Sequence, residues 1–204
     1  MITLFLIRHG MCDPVGHAIA GRTPGVHLNE EGRRSAAVLA ETLAVYPILA
    51  VHSSPLERAL ETAQPLAARV GVPVELAPAL TELDFGAWTG RTLEELRPLP
   101  GWRIWNEARG SARIPGGESM AEVLSRALEW VESARHRPHE GIVAAVTHGD
   151  VIRALLTHFL EMPVERLLRL EVEPASVSVI RWEGDEPRLL ALNWGAAHGP
   201  THLA

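Results

Sequence analysis

The sequence predicts an α/β domain, because short apolar runs alternate along the chain with longer segments of helical periodicity. Two of the apolar runs, Ile2–Ile7 and Ile142–Thr147, are uninterrupted by charge, as expected of buried strands. The chain has 204 residues, which is about 1.4 times a typical domain length of roughly 150 residues. We therefore expect a single domain that spans residues 1–204.

The predicted strands are short apolar runs, several of them rich in β-branched residues. In chain order they are Ile2–Ile7, Ile48–His52, Val74–Leu76, Ile142–Thr147, Leu167–Val172, Val177–Trp182 and Arg188–Asn193. A loop that contains Gly and Pro follows the first strand, from Gly10 to Leu28. The tail after Trp194 is small and polar, and we expect it to be poorly ordered.

Four long helices are predicted from their start signals. These signals are Asn29, Ser54-Pro55-Leu56-Glu57, Ser119-Met120-Ala121-Glu122 and Asp150, and the helices end near Ala44, Val70, Ala134 and Leu160. The two four-residue patterns are typical of capping boxes, and the first also places Pro at the first helical position. The segment from Pro98 to Gly117 is rich in Pro, Gly and Trp without a clear period, so we expect a loop or lid-like insertion at about residues 98–118.

Composition excludes several classes of protein. The net charge is −6, and the 19 basic residues are all arginine, so no broad basic field is available for nucleic acid or an acidic membrane. No apolar run approaches the ~20 residues that span a bilayer. The first apolar run is shorter than a signal-peptide core and has no basic residue before it, so we expect a cytoplasmic protein. The single cysteine, Cys12, excludes a disulfide scaffold.

Candidate catalytic residues occur at three strand-to-helix or strand-to-loop junctions. Arg8-His9-Gly10 follows the first strand, Arg58 lies in the first turn of the helix after the second strand, and His148-Gly149-Asp150 follows strand Ile142–Thr147. If these strands are parallel, the junctions meet beyond their carboxyl ends, where ligands bind in open α/β sheets. Two arginines, two histidines and two helix N-termini form a donor set suited to a phosphate.

Elimination narrows the chemistry to histidine. A cysteine phosphatase needs Cys-x5-Arg, but the sixth residue after Cys12 is Ala18. The chain has no lysine for a P-loop, no Asp-x-Asp after a strand and no Gly-x-Ser-x-Gly. The paired histidines His136/His139 and His198/His202 lack nearby acids, so we interpret them as solvated side chains and expect no metal site. His9 remains as the nucleophile, because a neutral imidazole can attack phosphorus.

Six motifs in order make the sequence resemble the histidine phosphatase superfamily, which includes the cofactor-dependent phosphoglycerate mutases. They cover the chain to about Trp182. The motifs are Leu6-Ile7-Arg8-His9-Gly10, Leu28-Asn29-x-x-Gly32, Ser53-Ser54-Pro55-Leu56-x-Arg58-Ala59-x-x-Thr62-Ala63, Glu82-Leu83-x-Phe85-Gly86-x-Trp88-x-Gly90, Pro115-Gly116-Gly117-Glu118-Ser119 and Thr147-His148-Gly149.

The resemblance implies a three-layer α/β/α sandwich with a mainly parallel central sheet. It also implies that His9 is phosphorylated and that Arg8, Arg58 and His148 form the phosphate pocket with Gly149. We expect no cofactor and no metal, because the arginines supply the positive charge. Glu82 falls at the family's proton-donor position, where it would protonate the leaving oxygen and then activate water. Asp150 is the alternative acid, because a related branch places its donor just after the second histidine, although a helix N-cap is the simpler role for it.

The chain departs from the family pattern at two positions. Many relatives have Thr three residues and Asn six residues after the nucleophile, whereas this chain has Cys12 and Val15. Gly16, His17 or Arg22 could supply the missing phosphate contact. Arg22 lies in Gly21-Arg22-Thr23-Pro24-Gly25, where relatives place a substrate-facing loop, although a surface arginine is the alternative interpretation. Glu118 is interpreted as a helix-start residue that also orders the lid.

Phosphatase activity on a small phosphomonoester is the favoured function. The stretch from Leu83 to Thr147 is shorter than in the mutases, which suggests an open pocket that admits water. A mutase, or a non-catalytic phosphate-ester binder, is the alternative, and five intact site residues argue against the binder. The resemblance is compatible with a homodimer. The tryptophans Trp88, Trp102 and Trp105, with Ile104 and Ile114, either line a substrate-binding lid or belong to the core.

Overall fold

A mixed six-stranded sheet forms the centre of the computed structural model, which describes residues 2–136 and 141–195. The strand order is β3-β2-β4-β1-β5-β6. The strands are β1 (Ile2–Arg8), β2 (Ile48–Ser53), β3 (Val74–Leu76), β4 (Gly141–Thr147), β5 (Val177–Glu183) and β6 (Glu186–Trp194). Strands β3, β2, β4 and β1 are parallel, and β5 and β6 are antiparallel to their neighbours.

Helices cover both faces of this sheet. They are α1 (Glu30–Leu43), α2 (Glu57–Val70), α3 (Leu93–Leu96), α4 (Pro100–Glu107), α5 (Met120–Arg135) and α6 (Gly149–Phe159). Short 3₁₀-helical segments occur at Pro78–Leu80, Gly86–Trp88 and Val164–Arg169. The predicted three-layer α/β/α sandwich with a mainly parallel sheet is therefore confirmed.

The alternation of side chains along β1 explains why there are two cores. Leu4 and Leu6 point to the face covered by α5 and α6, whereas Phe5 and Ile7 point to the face covered by α1 and α2. All four side chains are at most 3% exposed. A strand buried on both faces must be apolar throughout, which is why its sequence shows no polar alternation.

The helix starts agree with the sequence only in part. Asn29 caps α1 by accepting from the Gly32 amide at 2.9 Å, and Ser119 forms the predicted capping box on α5. The capping box predicted at Ser54 is wrong, because α2 begins at Glu57 and its N-cap, Leu56, makes no side-chain cap. Asp150 is not the N-cap of α6 either, since the helix already begins at Gly149.

Two further assignments are wrong in their secondary structure. The predicted strand Leu167–Val172 lies instead in and after a 3₁₀ turn, Val164–Arg169, in which Leu167 packs into the core. The predicted irregular segment at residues 98–118 contains helix α4, whose Trp105 is fully buried. The tail after Gly195, together with His139, His198 and His202, lies outside the described residues.

Candidate active site

The three predicted junctions converge at one edge of the sheet. Because β1, β2 and β4 are parallel, the residues that follow them leave the sheet at the same edge. His9 and His148 face each other there, with ring centroids 5.1 Å apart, and the His9 amide donates to the Thr147 carbonyl at 2.9 Å. Arg58 reaches both imidazoles from the first turn of α2, with nitrogen–nitrogen distances of 3.3 Å.

The hydrogen bonds of His9 fix which ring nitrogen is free to react. Its Nδ1 lies 2.7 Å from the Gly10 carbonyl oxygen, which can only accept, so Nδ1 carries the proton. The lone pair is then on Nε2, where Arg58 Nε donates to it. Burial, reinforced by the charge of Arg58, lowers the pKa of His9 to about 3. The imidazole is therefore neutral and nucleophilic at physiological pH.

A backbone contact holds the loop that carries His9. The Gly10 amide donates to Thr62 Oγ1 at 2.9 Å, and that hydroxyl donates to the Arg58 carbonyl at 2.7 Å. A Cβ on Gly10 would lie 2.8 Å from the Gly32 carbonyl oxygen, so glycine is required for this close approach. The glycine in Leu28-Asn29-x-x-Gly32 thus supports the nucleophile from α1.

Two arginines, Arg8 and Arg58, present buried nitrogens that are unpaired among the described residues. Arg58 is 1% exposed, and its Nη2 donates to the Gly21 carbonyl at 2.8 Å, while its Nη1 has no partner among the described residues. Arg8 donates from Nη1 to the Val172 carbonyl at 2.6 Å, and its Nε is likewise unpaired within the described part of the chain. Both side chains line one cavity with His9. Unpaired buried cationic donors beside a nucleophile are suited to hold an anion.

That cavity measures about 150 Å³. One part of its wall is apolar and includes Cys12, Val15, Ala18, Ile19 and Phe85. The two departures from the family pattern thus face the cavity. Of the three residues offered as replacements, Gly16 lines the cavity, whereas His17 and Arg22 do not.

His148 closes the site from the N-terminus of α6. It is fully buried, and its Nδ1 faces a donor, Arg58 Nη2, so Nε2 carries the proton and donates to Ser54 Oγ at 2.7 Å. Burial, together with the nearby His9 and Arg58, lowers the pKa of His148 well below its usual value. Gly149 lines the cavity beside it, and a Cβ there would lie 3.5 Å from Arg8 Nε.

Glu82 lines the same cavity with a carboxyl group that is largely withdrawn from water. Its side chain is 13% exposed, its Oε1 accepts from the Leu83 amide at 2.9 Å, and its Oε2 lies 4.0 Å from His148 Nδ1. Burial, followed by the charge of Asp150, raises the pKa of Glu82 to about 7. A carboxyl group with this pKa can donate and accept a proton near neutral pH.

Asp150 also lines the cavity, but two arginines stand beside it. Its Oδ1 lies 3.5 Å from Arg153 Nη1 and 3.9 Å from Arg109 Nη1. The structure therefore brings Glu82 and Asp150 together but places only Glu82 without an arginine partner at its carboxyl group.

Two of the predicted substrate-binding residues, His148 and Arg22, do not line the cavity. His148 contacts Arg58, which does line it. Arg22 contacts the segment around Glu82. Its Nε donates to the Glu82 carbonyl at 2.8 Å, its Nη2 pairs with Glu118 Oε2 at 2.8 Å, and its Nη1 lies 3.9 Å from Asp84. All three guanidinium nitrogens are directed at the Glu82 loop and its neighbours instead of at the phosphate pocket. The predicted phosphate contact is thus corrected to a contact with the protein.

A family model described as the histidine phosphatase superfamily (branch 1) matches residues 4–195. The chain belongs to this superfamily. It is accordingly an enzyme of the phosphatase and phosphoglycerate mutase family, as its motifs predict.

Relatives within the histidine phosphatase superfamily include both activities by name. Phosphoserine phosphatase 1 of Hydrogenobacter thermophilus is 31% identical over 95% of this chain and 92% of its own length. A probable phosphoglycerate mutase of Yersinia enterocolitica is 32% identical over 95% of this chain and 90% of its own. A mycobacterial glucosyl-3-phosphoglycerate phosphatase, solved in complex with VO₃, has a TM-score of 0.85 and 32% identity over 95% and 99% of the two chains.

Sequence reasoning did not identify several residues of this histidine phosphatase site. Arg153 lines the cavity from α6. It lies four residues after Gly149, and this spacing of one helical turn could have placed it on the same face. Arg109 is 5% exposed and stacks on the Trp105 ring at 5.1 Å, but it approaches Asp150 from a distant segment and has no local signal.

Within residues 2–136 and 141–195, no three His, Cys, Asp or Glu side chains are grouped so that they could hold a metal ion. None of the helices described there combines the length and the apolar character needed to cross a membrane.

Proposed function

We propose that this protein hydrolyses small phosphomonoesters through a phosphohistidine at His9, without a metal ion. The observation that carries the proposal is the neutral Nε2 of His9, placed in one cavity with the unpaired buried nitrogens of Arg8 and Arg58. This arrangement pairs a nucleophile with positive charge that is fixed before the substrate arrives. The guanidinium groups supply the charge that a metal would otherwise provide.

In the first step, His9 Nε2 attacks the phosphorus atom. A nitrogen–phosphorus bond forms, and the bond from phosphorus to the leaving oxygen breaks with its electron pair. Protonated Glu82 gives its proton to that oxygen, so an alcohol departs and Glu82 becomes a carboxylate. Arg8 and Arg58 stabilise the charge on the oxygens of the transferred group, and the N-terminus of α6 at Gly149 adds to this field. His148 acts through Arg58, because its Nδ1 accepts from Arg58 Nη2 and holds that guanidinium group beside His9.

In the second step, water replaces the alcohol. The Glu82 carboxylate takes a proton from water as the water oxygen attacks the phosphorus atom. The nitrogen–phosphorus bond breaks, His9 regains its lone pair and inorganic phosphate leaves. The pKa of about 7 suits Glu82 to both directions of proton transfer at the same pH.

The substrate belongs to the small-molecule phosphomonoesters. The cavity of about 150 Å³ is lined by Arg8, His9 and Arg58, which are suited to a phosphate group. Phosphoserine and glucosyl-3-phosphoglycerate, taken from the names of the relatives, are the first metabolites to assay. The proposal places this activity in the cytoplasm, where the chain's only cysteine, buried and free, suits a reducing compartment.

Phosphoryl transfer of the mutase type is the second candidate, because a relative of similar identity is named a probable phosphoglycerate mutase. Both reactions pass through the same phosphohistidine. They differ in whether water or a second hydroxyl group takes the phosphoryl group. Conversion of 3-phosphoglycerate, primed with the bisphosphate, would show mutase activity directly.

Phosphate release from an aryl phosphate tests the proposal, measured in EDTA at about pH 5 to 8. We expect turnover by the wild type, inhibition by vanadate and loss of activity in His9→Ala. His136→Ala is the matched control, because His136 is an exposed histidine at the end of α5. Activity that survives in His9→Ala would refute the phosphohistidine mechanism, and absence of wild-type turnover on aryl and metabolite substrates would favour a mutase or a binding protein.

A further inference from the structure

Two arginines from different segments hold the backbone of Glu82. The Glu82 carbonyl accepts from Arg22 Nε at 2.8 Å and from Arg126 Nη2 at 3.3 Å. Arg22 lies in the loop before α1, and Arg126 lies on α5. Arg126 also donates from Nη1 to the Ala79 carbonyl at 2.6 Å, so it fixes the chain on the N-terminal side of Glu82 as well.

Glu118 joins these two arginines to each other. Its Oε2 accepts from Arg22 Nη2 at 2.8 Å and from Arg126 Nη2 at 3.1 Å, and its Oε1 accepts from Arg126 Nε at 3.1 Å. The Asp84 amide donates to the same Oε2 at 3.1 Å. One carboxylate therefore ties both guanidinium groups to the segment that follows Glu82. We call Arg22, Arg126 and Glu118 the Glu82 clasp.

The clasp holds a part of the backbone that belongs to neither a strand nor an α-helix. Glu82 lies between two 3₁₀ turns, Pro78–Leu80 and Gly86–Trp88, and outside every strand and α-helix of the described chain. The side chains of Arg126 and Glu118 are each 19% exposed, and charged hydrogen bonds that are partly shielded from water are stronger than exposed ones. No atom of the clasp lines the cavity, so it contacts Glu82 and not the substrate.

We propose that Arg22, Arg126 and Glu118 are positioning residues that hold the Glu82 carboxyl group in line with the leaving oxygen of the substrate. This inference rests on the proposed function, in which Glu82 is the proton donor. It gives Arg22 a role in proton transfer instead of in phosphate binding. It also gives Glu118, in Pro115-Gly116-Gly117-Glu118-Ser119, a role at the active site.

A series of phosphate esters tests this role, because an acid catalyst matters most when the leaving group is a poor one. We expect Arg126→Gln and Arg22→Gln to lower kcat/KM about 10–100-fold for alkyl phosphates and much less for nitrophenyl phosphate. The inhibition constant for vanadate should stay unchanged, since the phosphate pocket is intact. Arg113→Gln is the matched control. Arg113 lies before α5 and pairs with Glu122 on α5 at 2.8 Å, and it does not contact Glu82.

The outcomes separate this inference from the proposed function. An equal loss for all esters, a loss matched by Arg113→Gln, or weaker vanadate inhibition in Arg22→Gln would overturn the positioning role.

Glu82→Gln measures the contribution of the proton donor itself on the same series of esters. If Glu82→Gln shows the dependence on the leaving group and the clasp variants do not, only the clasp proposal fails. If Glu82→Gln shows none, the proposed proton donor is wrong. Because Arg126→Gln could impair folding, its circular dichroism is compared with the wild type, and Arg22→Gln, on a loop, provides the second variant.

Discussion

Glu82 and Asp150 are two carboxyl groups that line one cavity in opposite electrostatic surroundings. Asp150 has Arg153 and Arg109 within 4 Å, whereas Glu82 has no arginine partner at its carboxyl oxygens among the described residues. The pKa of Glu82 is raised to about 7 by burial and by the charge of Asp150 beside it. The comparison favours Glu82 as the proton donor.

The pH profile of kcat/KM for an alkyl phosphate should report this assignment. The protonated form of Glu82 is the donor, so we expect kcat/KM to fall as the pH rises through about 7. His9, with a pKa of about 3, stays neutral and imposes no loss down to about pH 4. Glu82→Gln should remove the alkaline limb and lower the rate about 10²–10⁴-fold.

The phosphate group of the substrate also titrates near neutral pH, so its titration must be separated from that of Glu82. Its second ionisation has a pKa of about 6. A limb near pH 7 that remains in Glu82→Gln would belong to the substrate and would contradict the assignment to Glu82. The expected result is that the limb moves or disappears only in the variant.

Helix α4 shows why the segment at residues 98–118 was difficult to assign. Pro100 at the first helical position is compatible with a helix start, but Gly101 in the first turn lowers the helix propensity of an eight-residue segment. Packing compensates for this: Trp105 is fully buried and meets the Trp88 ring at a centroid distance of 6.2 Å. Trp88 and Trp105 are therefore core residues, and whether the segment also moves as a lid stays a prediction.

Trp105→Ala tests how firmly α4 is anchored. Deleting a fully buried tryptophan removes apolar contacts and leaves a cavity, so we expect the free energy of unfolding to fall by about 3–5 kcal/mol. Ile104→Ala is the matched control on the same helix, because Ile104 is 53% exposed, and its effect should stay within about 0.5 kcal/mol. Urea denaturation measures both changes. Equally small effects would show that the segment is only loosely packed.

The whole molecule should become less stable in acid because the site buries two neutral histidines. The native pKa of His9 is about 3, against 6.5 for an unperturbed histidine, and the pKa of His148 is lowered in the same direction. Between these values the unfolded chain binds protons that the native state does not, so the free energy of unfolding rises with pH. The stabilisation is complete above pH 6.5 and is lost as the pH falls toward 3. Glu82, with its raised pKa, contributes with the opposite sign, and its share is lost as the pH rises from 4.5 through 7.

The dependence on His9 can be measured by urea unfolding between about pH 4 and 6. One proton changes the slope by about 1.4 kcal/mol per pH unit. We expect His9→Asn to reduce the slope by about this amount. His136→Asn, on an exposed histidine, should leave the slope as it is. An unchanged slope in His9→Asn would mean that His9 is protonated in the native state.

The local sequence determined the sheet's buried strands and the family, because these depend on short patterns, and the same patterns predicted the candidate site residues. Continuous apolar runs predicted β1 and β4, and polar residues directly after strands predicted His9 and His148. The parallel order of β1, β2 and β4 then placed His9, Arg58 and His148 at one edge. Start signals for α1 and α5 were also right, since Asn29 and Ser119 act within one helical turn.

Only the tertiary structure decided what distant side chains do. Ser54 Oγ accepts from His148 instead of capping a helix, and Arg22 donates to the Glu82 carbonyl instead of lining the cavity. Arg109 and Arg126 reach the site from segments whose sequence gives no sign of it. A charged side chain takes the partner that burial and folding bring within hydrogen-bond distance, and that partner lies tens of residues away in the chain. Spacing along the chain therefore predicts contacts within a helical turn or at a strand end, whereas long-range ion pairs are fixed by packing.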